Sequence, residues 1–197
     1  MILGENPNHL KSNYLISDLY FRKAQYDKAL KHVKKCLSID AYDSDANFIA
    51  GNIYKALNSL YDAKEAYGWA SRSTKYKSAA LSQISEIYLI EKKYNDAISY
   101  AKESLNYNRL NLKALEILPI SNRILENNSE SKKWIDNILF LDPLNHFARF
   151  ELYLIDPAES NWKRFTDKVR NEFPEQTYLE IAISYFERNL HKEAKII

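Results

Sequence analysis

The chain has 197 residues, 46% of them hydrophobic and 13% aromatic, which is ample for a packed core and argues against disorder. Its 28 basic and 26 acidic residues almost cancel to +2, so no long-range field steers a polyanion, and nucleic-acid binding is not expected. A single cysteine, Cys36, excludes an internal disulfide, and only 3 Gly and 5 Pro suit a nearly all-helical chain with short turns.

Residues Met1 to Tyr20 hold Glu5, Pro7, Lys11 and Asp18 without an unbroken apolar run, so they do not read as a signal peptide. No stretch of about 18 apolar residues occurs, so no membrane insertion is expected. If the chain is complete, these features place it in the cytoplasm. The end, Ala194-Lys195-Ile196-Ile197, follows closely on the start of a helix and reads as a cut through a longer protein.

A 34-residue period runs through most of the sequence. Ser17, Gly51 and Ser85 keep this step, as do Tyr20, Tyr54 and Tyr88, then Tyr26, Leu60 and Tyr94, and Ala29, Ala63 and Ala97. A fixed period of this size marks a repeat protein whose units pack on their neighbours. The first unit, 10–43, predicts a helix with Ile16, Ser17 and Tyr20, a turn at Lys23-Ala24-Gln25, and a second helix with Tyr26, Ala29, Val33 and Cys36. Units 44–77 and 78–111 repeat that hairpin. Small residues let paired helices approach: Ser17, Gly51 and Ser85 face the partner helix, with Ala29, Ala63 and Ala97 opposite. Cys36, Ala70 and Ser104 admit the next unit, and the tyrosines fill the space between helices.

The fourth unit, 112–145, keeps Leu115, Leu118, Ser131 and Ile135 and closes on Asp142-Pro143. It puts Pro119 at the small position of its first helix and Asn122 at the aromatic one. A helix-interior proline predicts a kink near Leu118 that widens the surface beside Ile120. The register then slips, and 146–174 reads as a short, degenerate unit. His146 to Ile155 predicts a helix stopped at Asp156-Pro157. Asp156 reads as the cap of the next helix, with Pro157 in its first turn and Glu159 three after the cap. Ser160 to Phe173 predicts that helix, with Trp162, Phe165, Val169 and Phe173 as its apolar face. In 175–197 the pattern resumes at Tyr178, Ile181, Ala182, Tyr185, Asn189 and Ala194 and stops short. Ile181, Tyr185 and Ile196 are therefore expected to lack partners and to meet a second copy of the chain, giving a homodimer through this end.

The series of large, small, aromatic, Ala, aromatic, Ala and Pro positions resembles the tetratricopeptide repeat (TPR) over Leu10 to Asn145. The resemblance implies an all-α, right-handed superhelix of antiparallel helix hairpins, one solenoid of eleven to twelve helices over 1–197. The stretch Asp142 to Phe150, with Asp156-Pro157 and Thr177-Tyr178-Leu179-Glu180, is similar to the TPR regions of large multidomain bacterial proteins that carry an upstream β-sandwich domain of unassigned function.

No catalytic, metal or cofactor site is expected. His9, His32, His146 and His191 lie in different units without metal-ligand spacing, and Cys36 occupies a small packing position. There is no Gly-rich phosphate loop, no Gly-x-Ser-x-Gly and no His-Glu-x-x-His. Carboxylates such as Asp43, Asp45, Glu126 and Glu130 fall at turns, where they suit helix caps and first turns. The remaining candidate is the concave face that the resemblance implies for the first helix of each hairpin. Steps of three and four put Tyr14, Asp18 and Phe21 there, then Phe48, Asn52 and Lys55, Ser82, Glu86 and Leu89, and Glu116, Ile120 and Arg123. Phe21, Phe48, Leu89 and Ile120 are expected to be large apolar residues facing a groove. The TPR clamp for a terminal carboxylate is not expected, because its positions read Tyr14 and Asp18, then Lys113 and Ile117, and Asp18 repels an anion. The expectation is a non-catalytic scaffold for a protein or peptide. The alternative is a module that packs on a catalytic or carbohydrate-associated domain of the same parent chain.

Overall fold

The computed structural model describes residues 6, 8–169 and 173–197. Glu5 and Pro7 lie outside them, as do residues 170–172 of the helix expected over Ser160 to Phe173. The described residues form twelve helices and no strand. They are α1 Leu10–Arg22, α2 Tyr26–Ile39, α3 Ser44–Ala56, α4 Leu60–Ala70, α5 Lys77–Ile90 and α6 Tyr94–Tyr107. After these come α7 Leu112–Ile124, α8 Asn128–Leu141, α9 His146–Ile155, α10 Glu159–Thr166, α11 Pro174–Glu187 and α12 His191–Ala194. The chain divides into two compact units, one up to Ile87 plus Glu103–Asn111, the other Tyr88–Lys102 plus Leu112–Ile197.

The period is written in the backbone as well as in the side chains. Ala24, Asn58, Lys92 and Glu126, each 34 residues apart, all have φ near +60°, and so does Asn189. Each follows the first helix of a hairpin. The next amide closes the turn on the aromatic-position carbonyl: Gln25 on Tyr20 at 2.9 Å, Ser59 on Tyr54 and Lys93 on Tyr88 at 2.8 Å, Asn127 on Asn122 and Leu190 on Tyr185 at 2.9 Å. These six-to-one bonds satisfy carbonyls that the helix end leaves open. No glycine occupies these left-handed positions. Helix starts recur too, since His9, Asp43 and Asn145 each accept an amide of the first turn, from Ser12, Ala46 and Ala148.

In the first unit α1 packs on α2 and α3, α2 on α3, and α3 on α4. Ala29, Val33, Cys36, Ala46, Ile49, Ala50 and Ile53 share one buried cluster. The small positions are close approaches. The Ser17 hydroxyl donates to the Ala29 carbonyl at 2.9 Å. A β-carbon added at Gly51 would lie 2.6 Å from the Tyr67 ring. Burial, with Asp43 nearby, pushes the Cys36 thiol up to about 11, so it stays protonated.

In the second unit α7 runs as one helix through Pro119. There the interhelical bond is reversed: Ser131 of α8 donates to the Pro119 carbonyl at 2.9 Å. Asp156 does not cap α10. It ends α9, its carbonyl accepts from the Ala158 amide at 2.8 Å, and Ala158 is the cap residue. The Asn161 side-chain amide donates to the Asp156 carbonyl at 2.9 Å and to its carboxylate at 3.1 Å, so that carboxylate does not cap the α10 amides. The helix expected to reach Phe173 ends at Thr166, and Phe173 is exposed while Phe165 is fully buried. Ile181 and Tyr185 are not short of partners. Tyr185 is fully buried, its ring against Phe147 and Phe150, because α9 supplies the surface that the following hairpin was expected to provide.

Candidate functional site

In the first unit the strip residues of α1 and α3 are half-buried: Tyr14, Asp18, Phe21, Phe48, Asn52 and Lys55. Phe48 stacks on Tyr76 with ring centroids 4.5 Å apart and meets the edge of Tyr67. Asn52 accepts a hydrogen bond from the Tyr67 hydroxyl at 2.7 Å. Burial and the nearby Glu86 carboxylate hold that phenol well above its ordinary range. Lys55 donates to Gln83 at 2.9 Å and forms an ion pair with Glu86, linking α3 to α5. Asp45 pairs with Lys75 at 2.6 Å. Phe21 lies against Tyr26, and Asp18 holds Arg22 at 2.8 Å. Ser82 is buried and bonds back to the Ala79 carbonyl.

In the second unit the expected apolar exposures fail. Leu89 and Ile120 are 1% and 0% exposed, so neither faces open space. The reason is in the helices. Eight of the thirteen α7 residues are buried, Ile120 among them, and only Leu112, Lys113, Glu116, Arg123 and Ile124 keep some exposure. Glu116 and Arg123 act as braces. Glu116 takes Arg188 at 2.6 Å. Arg123 binds both oxygens of the fully buried Glu151, at 2.8 and 3.1 Å, and reaches Glu193 at 3.2 Å. Tyr185 donates to the same Glu151 at 2.5 Å, and burial, with Glu151 beside it, raises that phenol.

One open apolar surface of this unit lies on α11. Leu179, Ile183 and Phe186 are 60%, 46% and 62% exposed. A cavity of about 570 Å³ adjoins them, lined by Ala182, Ile183, Phe186, His191, Ala194 and Lys195. Among the described residues no His, Cys, Asp and Glu group could hold a metal ion, and no helix is long and apolar enough to cross a membrane.

Residues 10–43 match the family described as tetratricopeptide repeat. Among solved structures the chain is similar to YrrB, a TPR protein with an unusual peptide-binding site, at 14% identity and TM-score 0.68, covering 98% of this chain and 96% of that one. It is also similar to a tetratricopeptide repeat protein from Parabacteroides merdae, at 15% identity and TM-score 0.72, covering 97% and 77%. The chain has the tetratricopeptide-repeat fold. A third TPR-fold likeness is to PilW, a type IV pilus biogenesis factor, at 14% identity and TM-score 0.69, covering 95% and 90%. At such identities the likeness establishes the fold alone. No curated protein sequence matches the chain significantly.

In TPR terms, Leu179, Ile183 and Phe186 were missed because the register slips after His146. The signal was present. Tyr185 lies 63 residues after Asn122, and the same offset carries Glu116, Ile120 and Arg123 onto Leu179, Ile183 and Phe186.

Proposed function

We propose that this chain is a non-catalytic interaction scaffold that binds a protein or peptide segment along the first-helix strips of its TPR hairpins. One observation carries the reading: Leu179, Ile183 and Phe186 are large, apolar and exposed at the strip positions of α11, beside a cavity of about 570 Å³. That volume lies in the range of binding pockets, and exposed apolar residues grouped this way are the usual sign of an interface. Within the first unit taken by itself, the half-buried aromatics Tyr14, Phe21 and Phe48 and the polar Asn52 and Lys55 offer similar chemistry. YrrB, of the same fold, is described as having a peptide-binding site.

Selection from a random peptide library on the immobilised chain tests this. Enriched sequences should carry an apolar side chain, and Ile183→Asp or Phe186→Asp should weaken them at least tenfold while leaving the helical spectrum unchanged. A library that yields no saturable binder, or binders indifferent to both substitutions, overturns the reading.

A further inference from the structure

Leu15 and Leu19 of α1 are exposed at 55% and 50%. With Lys11 and Arg22 they recur at steps of four, four and three, so the four side chains form one ridge along the helix, beside the strip of Tyr14, Asp18 and Phe21 but separate from it. One repeat later the same ridge is closed. Ile49 and Ile53 of α3 are 4% and 0% exposed. They lie in the cluster with Ala29, Val33 and Cys36 of α2, and α2 packs on α3. The chain thus displays, within itself, what covers this ridge: a helix presenting small apolar residues at i, i+4 and i+7. Small residues are needed because large ones on both helices would hold them apart.

The charges differ between the two ridges. Where α3 has Asp45 and Ala56, α1 has Lys11 and Arg22, and Lys23 follows directly. Among the described residues Lys11 and Lys23 form no ion pair, while Arg22 is paired with Asp18 and remains largely exposed. A helix as basic as α2, with Lys28, Lys31, Lys34 and Lys35, would be repelled there.

We propose that the Leu15–Leu19 ridge docks an amphipathic α-helix of a partner protein, with a stripe of Ala- or Val-sized residues flanked by carboxylates. The probe is a helix-stapled peptide of the α2 sequence, residues 26–39, with Lys28, Lys31, Lys34 and Lys35 changed to Glu, titrated against the whole chain. It should bind saturably. The unaltered α2 peptide should bind at least tenfold more weakly, and Leu15→Ala/Leu19→Ala in the chain should weaken the acidic peptide by at least tenfold. Both leucines are exposed, so the variant keeps its fold, checked by its melting curve. Lys11→Glu/Lys23→Glu should also weaken the acidic peptide. No saturable binding, or binding that survives the double Ala variant, overturns the proposal. So does sedimentation showing a dimer of the chain that the same variant dissolves, because a second copy would then be the occupant.

Discussion

Gly51→Ala is the sharpest test of the packing. A methyl group at Gly51 would sit 2.6 Å from Cδ1 and Cε1 and 2.9 Å from Cγ of Tyr67. Carbon atoms rest about 3.5–4.0 Å apart, so the overlap is about 1 Å. The ring cannot slip aside: Tyr67 is fully buried, and its hydroxyl is held by Asn52 at 2.7 Å. Overpacking of this kind costs about 1–3 kcal/mol, against about 1 kcal/mol gained by replacing a helix-interior glycine. We expect a net loss of about 1 kcal/mol, read as a lower urea midpoint at constant slope. Gly68, inside α4, supplies the control. Nothing lies within 4 Å of an added β-carbon there, so Gly68→Ala should stabilise by about 0.5–1 kcal/mol. Tyr67→Val, the residue that Val33 is one repeat earlier, should reverse the sign of Gly51→Ala. If Gly51→Ala stabilises the chain as much as Gly68→Ala does, the close-approach reasoning is wrong.

Glu151→Ala should cost about 3–5 kcal/mol, since it leaves Arg123 without its buried partner; equilibrium unfolding measures it. Ala24→Gly and Lys92→Gly should each stabilise by about 1 kcal/mol, because their left-handed backbone strains a residue with a β-carbon, and a melting series checks them. Cys36 should resist a disulfide reagent at pH 8 until the chain unfolds, because the buried thiol titrates near 11. Burial, then Lys35 and Lys31, lower the pKa of His32 below 6.5, and burial, then Arg149, do the same for His146. The unfolded chain therefore takes up these protons first, and stability should fall as pH drops below about 6.5. His32→Phe should flatten that slope in denaturation at pH 5 and 7.

The sequence makes legible whatever depends on side-chain size at helical spacing. Ser17 and Ala29, Gly51 and the helix opposite it, and the short helix His146–Ile155 all follow from that logic. Backbone-borne features are invisible to it. The left-handed turn recurs at Ala24, Asn58, Lys92 and Glu126 with no shared residue type, so no residue announces it. Exposure is equally hard to read from one face of a helix. Ile120 sits at a strip position, yet it is one of eight buried residues among the thirteen of α7. Asp156-Pro157 has the chemistry of a helix start, but its carboxylate is taken by Asn161 and the helix begins two residues later.

The hydrogen bond between paired helices has a further consequence. In the first hairpin α1 supplies the hydroxyl and α2 the carbonyl; in the fourth, α8 supplies the hydroxyl and α7 the carbonyl. A helix carrying Pro119 joined to one carrying Ala29 would set two carbonyls face to face with no hydroxyl between them, and the loss of that one interhelical hydrogen bond costs about 0.5–1.5 kcal/mol. The indivisible unit for recombination in this chain is therefore the hairpin rather than the helix. A crossover within a turn breaks a matched pair, whereas a crossover between hairpins leaves Ser17 with Ala29 and Ser131 with Pro119.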